Sequence, residues 1–285
     1  MPSLRYASPT FALRSLRGRA LAGAFENLAA CGFAGLELFG LFGFEAEDMR
    51  RLCHSLGLEI VCDHIHYETF LEDTDQVLEN ARRLELRFIT IDNIPEALLP
   101  GNPGFDQARR EIERVGDRCR KSGLQLLYHN HGYDLLRRVD GVPTLDLLLD
   151  AFDPALLGFQ PDLGWLRLGG GDPAYYLQKY RDRCPIIHFK DFYADRPVTL
   201  PSPFGVEKRR GGAELGRLEF RPTGYGVMNF PALMPSVLAC APQWITTDHD
   251  AAYDRNIYDD LALSLEYTKA LVAIHAQTEE QSKEE

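Results

Sequence analysis

Six of the eight histidines stand in or just after short apolar runs that read as β-strands. The densest group is Leu126-Leu127-Tyr128-His129-Asn130-His131, followed by Asp134. Three further segments repeat the design: Gln160-Pro161-Asp162-Leu163-Gly164-Trp165, Ile186-Ile187-His188-Phe189-Lys190-Asp191 and Thr246-Thr247-Asp248-His249-Asp250. In each, an apolar strand ends in His, Asp or Lys. Burying such groups costs several kcal/mol unless a partner satisfies them. Strand after strand ending this way points to one shared polar centre, most simply a metal. Carboxylates mixed with imidazoles form an N/O donor set that suits Mn²⁺, Mg²⁺, Co²⁺ or Zn²⁺ and argues against a soft thiolate site.

The elements that must position these residues follow one recurring pattern. An amphipathic stretch leads to a glycine, then to a short apolar run, then to polar residues. Ala46–Leu56 leads to Gly57 and Leu58–Cys62, and Phe105–Lys121 leads to Gly123 and Leu124–Tyr128. Glycine is the expected residue where a helix ends, because it enters the left-handed region cheaply. Short strands that are apolar on both faces and separated by helical segments predict a parallel sheet covered by helices. Eight strands are predicted: Leu4–Ala7, Gly35–Phe39, Leu58–Cys62, Phe88–Ile91, Leu124–Tyr128, Leu157–Phe159, Ile186–Phe189 and Trp244–Thr246. Eight such units favour a single-domain (β/α)8 TIM barrel over an open sheet. No phosphate-binding glycine loop follows the first strand, as an open dinucleotide-binding sheet would have. The barrel is expected over residues 1–276, with a helix at Asp259–His275 closing it and a polar tail at 277–285 that frays. The 36 residues from Tyr193 to Met228 show little periodicity and read as a lid over the catalytic face.

Bulk properties narrow the function. The 285 residues carry a net charge of −11, which argues against a duplex nucleic-acid binder. No apolar run reaches the ~18–20 residues of a membrane span. The N-terminus has basic residues but no continuous apolar stretch, so no secretory signal is expected. The six scattered cysteines, without a C-x-x-C, read as reduced core residues of a cytoplasmic protein.

In a (β/α)8 barrel the C-terminal strand ends meet around one mouth. That geometry would gather Asp162 from strand six, His188 from strand seven and Asp248 from strand eight. Strand five offers His129, His131 and Asp134. Lys190 points into the same mouth, to balance the carboxylates or bind a substrate oxygen. Glu37, His64 and His66 line it from strands two and three, and Trp165 and Phe39 supply an apolar wall. Asp162 alone could instead cap the next helix.

The chain resembles the sugar phosphate isomerase/epimerase group, the xylose isomerase-like barrels that include inosose dehydratases, ketose 3-epimerases and endonuclease IV. The resemblance rests on Gly32–Leu38, His129-Asn130-His131 with Asp134, Asp162–Trp165, His188–Asp191, Thr223–Gly226 and Asp248–Asp250, in family order across nearly the whole chain. It implies a divalent metal held by Asp162, His188 and Asp248, with Asp134 preferred as the strand-five ligand. His129, His131 and Lys190 are then the catalytic groups, and Glu37, His64, His66 and Trp165 bind substrate. Counting from Gly123, His129 holds the place where ketose epimerases have their metal glutamate. Two departures stand out: Asp248 replaces the usual Glu, and Tyr225 replaces the Glu of Gly-Glu-Gly.

The implied activity is isomerisation or epimerisation of a sugar, or of a sugar-like polyol or keto-acid, by proton abstraction beside a metal-polarised carbonyl. An inosose-type dehydratase on the same site is the alternative. Two other classes compete: an endonuclease IV-like repair nuclease, disfavoured by the charge, and a barrel that binds sugar without turning it over. The expected partner is a small sugar-like molecule, with no nucleic acid or membrane, and a homo-oligomer is compatible with it.

Overall fold

A computed structural model describes residues 4–194 and 218–284, with side-chain surroundings through residue 277. The predicted strands form: β1 Arg5–Pro9, β2 Gly35–Leu38, β3 Glu59–Ile65, β4 Phe88–Ile91, β5 Gln125–His129, β6 Gly158–Gln160, β7 Ile186–Ala194 and β8 Trp244–Asp248. Neighbours from β1 to β6 pair in parallel, and β8 joins β7 to β1 through Arg5 opposite Trp244. Between β6 and β7 the contact is one parallel bridge, Asp162 with His188, carried by the His188 N–H on the Pro161 carbonyl at 2.8 Å. The barrel therefore closes on two residues proposed from sequence to do chemistry.

Helices alternate with the strands. In the helix Phe105–Lys121 the buried positions Ala108, Ile112, Val115 and Cys119 recur at helical spacing. Gly32, Gly57 and Gly123 have φ of 93°, 72° and 76°, as the glycine-before-strand pattern predicts. The barrel interior is filled by Ala7, Val61, Phe88, Leu127, Ile186 and Trp244, and a larger apolar layer lies between sheet and helices. Among the described residues, no helix is long and apolar enough to cross a membrane. All six cysteines are free thiols.

Two segments differ from expectation. The last helix runs over Ile257–Glu284, through most of the predicted tail. Its Gln, Glu and Lys residues are good helix formers and nothing there breaks the helix. The segment 193–228 is also more regular at its ends. Leu218–Arg221 pairs antiparallel with Asp191–Ala194, extending β7 into a ribbon. The centre of the predicted lid, 195–217, lies outside the described residues.

Asp191 organises the loop after that ribbon. Its Oδ2 accepts from Gly224 N and Gly226 N at 3.0 and 2.9 Å, and its Oδ1 from Phe192 N and Met228 N at 2.8 and 3.1 Å. Gly224 has φ of 89°, and a Cβ at Gly226 would collide with Asp191 Oδ1. The Gly-Tyr-Gly motif thus wraps a buried carboxylate, while Tyr225 itself is exposed. Replacing Asp191 by Ala strands these backbone donors and should destabilise the protein by about 2–4 kcal/mol in urea unfolding. An unchanged unfolding midpoint would show that the loop does not depend on this anchor.

Candidate active site

The C-terminal strand ends surround a cleft lined by Pro9, Phe11, Phe39, His64, Asp92, His129, His131, Trp165, His188, Lys190, Asp248 and Asp250. Of the residues named from sequence, His64, His129, His131, Trp165, His188, Lys190 and Asp248 line it. Asp162 lies beneath, fully buried.

Four side chains converge there. His129, Asp162, His188 and Asp248 each offer one ligand atom, and these atoms lie within 4.8 Å of one another. Asp162 caps the helix Leu163–Leu168 through Oδ1, which accepts from Trp165 N at 2.8 Å. Its Oδ2 has no hydrogen-bond partner and faces His129 Nε2 at 3.9 Å. Capping and cluster membership therefore use different oxygens of one carboxylate. Asn130 holds this residue in place, its Oδ1 accepting from Asp162 N at 2.9 Å. Asp248 Oδ1 is likewise buried and without a partner.

Lys190 is the internal counter-ion. Its Nζ lies 2.7 Å from Asp250, 3.1 Å from Asp248 and 3.4 Å from Asp162, over the Trp165 and Phe220 rings. Burial works against its charge, but Asp248, Asp250 and Asp162 together raise its pKa. Burial pushes Asp162 up to about 7 against the pull of Lys190. Asp248 goes the other way, because Lys190 and His188 outweigh its burial.

Glu37 is placed differently from the sequence expectation. It is fully buried below the cleft and does not line it. Its carboxylate bonds His64 Nε2 at 2.8 Å, His188 Nε2 at 3.0 Å, Gln160 Nε2 at 2.8 Å and Cys62 Sγ at 3.2 Å, and accepts from the Thr246 hydroxyl. The pleat of β2 turns Glu37 into the barrel axis, where it meets other strands before it can meet a ligand. His188 is held on both sides, since its Nδ1 lies 2.9 Å from Asp248 Oδ2. Against its burial, Glu37 and Asp248 raise the His188 pKa to about 10. Burial prevails at His131, lowered to about 3, and at His129, where the charges of His188 and His131 add to it. These two imidazoles are neutral at pH 7.

Asp134 is not brought into the cluster. Tyr128 OH donates to its Oδ1 at 3.0 Å and His131 N to its Oδ2 at 2.8 Å. Both oxygens face the turn that follows β5, so the carboxylate fixes that turn, and His129 is the β5 residue that joins the cluster. His66 stands at the side, half-exposed, with Nδ1 3.1 Å from Asp92 Oδ1.

Two charged cleft residues have no role assigned from sequence. Asp92 follows β4 directly, and the strand-end rule applied to Phe88–Ile91 would have found it. Asp250 belongs to a motif already singled out, but only the structure shows it beside Lys190.

Glu37 makes a pH prediction. A histidine with a raised folded pKa contributes stability that is complete below its ordinary 6.5 and is lost as pH rises through about 10. Metal-free wild type should therefore lose stability between these values, and Glu37→Gln should lose less. Parallel pH profiles of urea midpoints for the two proteins would refute the His188–Glu37 pairing.

Comparison with known proteins gives a consistent family. Residues 25–249 match the family model described as xylose isomerase-like TIM barrel. An inosose dehydratase of Lacticaseibacillus casei is 39% identical over 80 residues, 28% of this chain and 26% of the relative. The match thus spans about a quarter of that relative's length. A sugar phosphate isomerase/epimerase from Parabacteroides distasonis superposes with a TM-score of 0.70 at 19% identity, covering 93% of each chain. The probable 3-DHS dehydratase involved in petrobactin synthesis from Bacillus anthracis superposes at 0.69 and 18% identity, covering 93% of this chain and 99% of its own. At these identities the structures establish a shared fold.

Proposed function

We propose that this chain, which belongs to the xylose isomerase-like TIM barrel family, is a divalent-metal-dependent enzyme that moves a proton beside the carbonyl of a sugar-like keto-polyol. The observation that carries this reading is the convergence of His129, Asp162, His188 and Asp248 at the closing seam of the barrel, with Asp248 Oδ1 buried and unpartnered and Asp162 Oδ2 without a hydrogen bond, 3.4 Å from the Lys190 ammonium. Such oxygens are costly in a dry site and suit a cation.

His129, Asp162, His188 and Asp248 would hold the metal, Mn²⁺, Mg²⁺, Co²⁺ or Zn²⁺ by donor type. His188 would offer Nδ1, leaving Nε2–H on Glu37, the arrangement that fixes a ligand histidine's tautomer and orientation. When bound, a divalent cation polarises a carbonyl and acidifies the neighbouring C–H. His131, partly buried in the cleft, is the candidate base for that proton, with Nδ1 unpartnered. Lys190 stands beside the same seam as the ammonium that offsets negative charge gathering on a substrate oxygen. Phe39 and Trp165 wall the cleft against the apolar face of a ring. His64, locked on Glu37, keeps Nδ1 available to a substrate hydroxyl.

Return of the proton to a second carbon, or to the other face of the same carbon, gives isomerisation or epimerisation. Loss of a β-hydroxyl gives dehydration, which the 80-residue similarity to inosose dehydratases supports as a second reading.

Two measurements test the site. Titration with Mn²⁺ should show one site, weakened about 100-fold or more by His129→Ala or Asp162→Ala. Asp134→Asn should shift the affinity by less than about threefold, within the context-dependent spread of a side chain remote from the metal. Equal losses in all three variants would return Asp134 to the ligand set. Metal-loaded protein should also exchange a carbon-bound hydrogen of an inosose or ketose for solvent deuterium. Absence of exchange across ketoses, inososes and 3-keto-sugars would leave the non-catalytic sugar-binding reading in its place.

A further inference from the structure

Beside the metal-ligand cluster the cleft carries a second pair of titratable groups. Asp92, at the end of β4, is buried and lines the cleft. His66, just beyond β3, bonds Asp92 through Nδ1 at 3.1 Å and has a half-exposed side chain. It borders an adjoining cleft that shares Phe39 and His64 with the main one, and the Phe39 ring stands edge-on to it at 6.4 Å. One member of the pair thus meets the buried site and the other meets water.

We infer that His66 and Asp92 form a proton relay from solvent into the cleft, and that it protonates the hydroxyl oxygen that leaves in a dehydration. The inference rests on the metal-dependent proton abstraction proposed above and adds the acid that reaction needs. The balance is simple. The C–H bond breaks and its proton passes to the neutral imidazole on the β5 side. The C–O bond breaks with its electron pair on oxygen, which takes the proton that Asp92 passes on from the His66 imidazolium and departs as water. Asp92 takes a proton from His66, and His66 recovers one from solvent. Asp92 is the catalytic residue in this scheme, and His66 acts through it.

The surroundings of His66 support its place as the outer member of the pair. The hydrogen bond to Asp92 raises the His66 pKa against partial burial, and the charges of Asp92 and Glu68 add to it. Those two carboxylates are the charged groups that face His66, the first from the end of β4 and the second from the helix Tyr67–Glu72. His131 stands at the end of the neighbouring strand β5, so the acid and the base reach the cleft from adjacent strand ends. A base alone suffices for exchange of a C–H with solvent, whereas expelling a hydroxyl needs an acid at the oxygen.

The test uses two readouts on one substrate. Mn²⁺-loaded wild type is incubated with a pentahydroxycyclohexanone in D₂O, and NMR measures deuterium entering beside the carbonyl while ultraviolet absorbance tracks the unsaturated product of water loss. Wild type should show both. Asp92→Asn and His66→Gln should lower water elimination by about 100-fold or more beyond any loss of exchange, the usual worth of a general acid. Mn²⁺ affinity should stay at the wild-type value in both variants, which separates loss of the relay from loss of the fold. Equal loss of exchange and elimination, or elimination retained in both variants, overturns the relay. Exchange in wild type without any elimination overturns it as well. No exchange in wild type removes the proton-abstraction reading itself, and the relay with it.

Discussion

One buried carboxylate ties this barrel together at the level of its chemistry. Glu37 sits on β2, and its partners come from β3, β6, β7 and β8: Cys62, His64, Gln160, His188 and Thr246. An ionised carboxylate inside a protein persists only when fully hydrogen-bonded. His188 and His64 hold this one well below the ordinary carboxylate range in spite of its burial. The strands must therefore keep the register that delivers these donors. Once they do, His188 has only one nitrogen left for the cleft, and that nitrogen points at Asp248.

Above this base lies a layer of opposite charges. Asp162, Asp248 and Asp250 surround the Lys190 ammonium. Any one of these charges alone would be expensive at this depth, and together they compensate one another. The layer is supported from outside: Asn130 pins Asp162, Asp134 fixes the turn after β5, and Asp191 holds the loop beyond the β7 ribbon. Side chains that do not face the ligand thus decide where those facing it stand. This is how a site is held to sub-ångström positions by rigid strands.

The strand–helix alternation, the barrel and the gathering of polar strand ends were legible because each has a local cause. Glycines at helix ends, apolar runs and helical spacing are properties of short segments, and barrel geometry then places every strand end around one mouth. What was not legible is direction. Asp134 is five residues past His129, and spacing alone left both open as the β5 contribution to the cluster. The choice is made by the turn at Asn130–Asp134, where the His131 N–H and the Tyr128 hydroxyl capture the Asp134 carboxylate. Glu37 lies at a strand end as His188 does, yet the pleat sends it into the barrel axis rather than the cleft. Asp92 was overlooked although it obeys the same rule as the other strand ends, and nothing local marks it as the partner of His66, 26 residues earlier.

By itself, then, the sequence determined the architecture, the gathering of polar strand ends around one mouth and the kind of ion its donors suit. These follow from residue types and from periodicities that the backbone must honour. Only the tertiary structure decided which oxygen of Asp162 caps a helix and which faces the seam, and that Lys190 pairs with Asp250 rather than its neighbour Asp191. The pairings that fix the seam join strands 60 or more residues apart, such as His188 with Asp248 and with Glu37. Hydrogen bonding is directional over a few tenths of an ångström, and no pattern along a single strand carries information that fine.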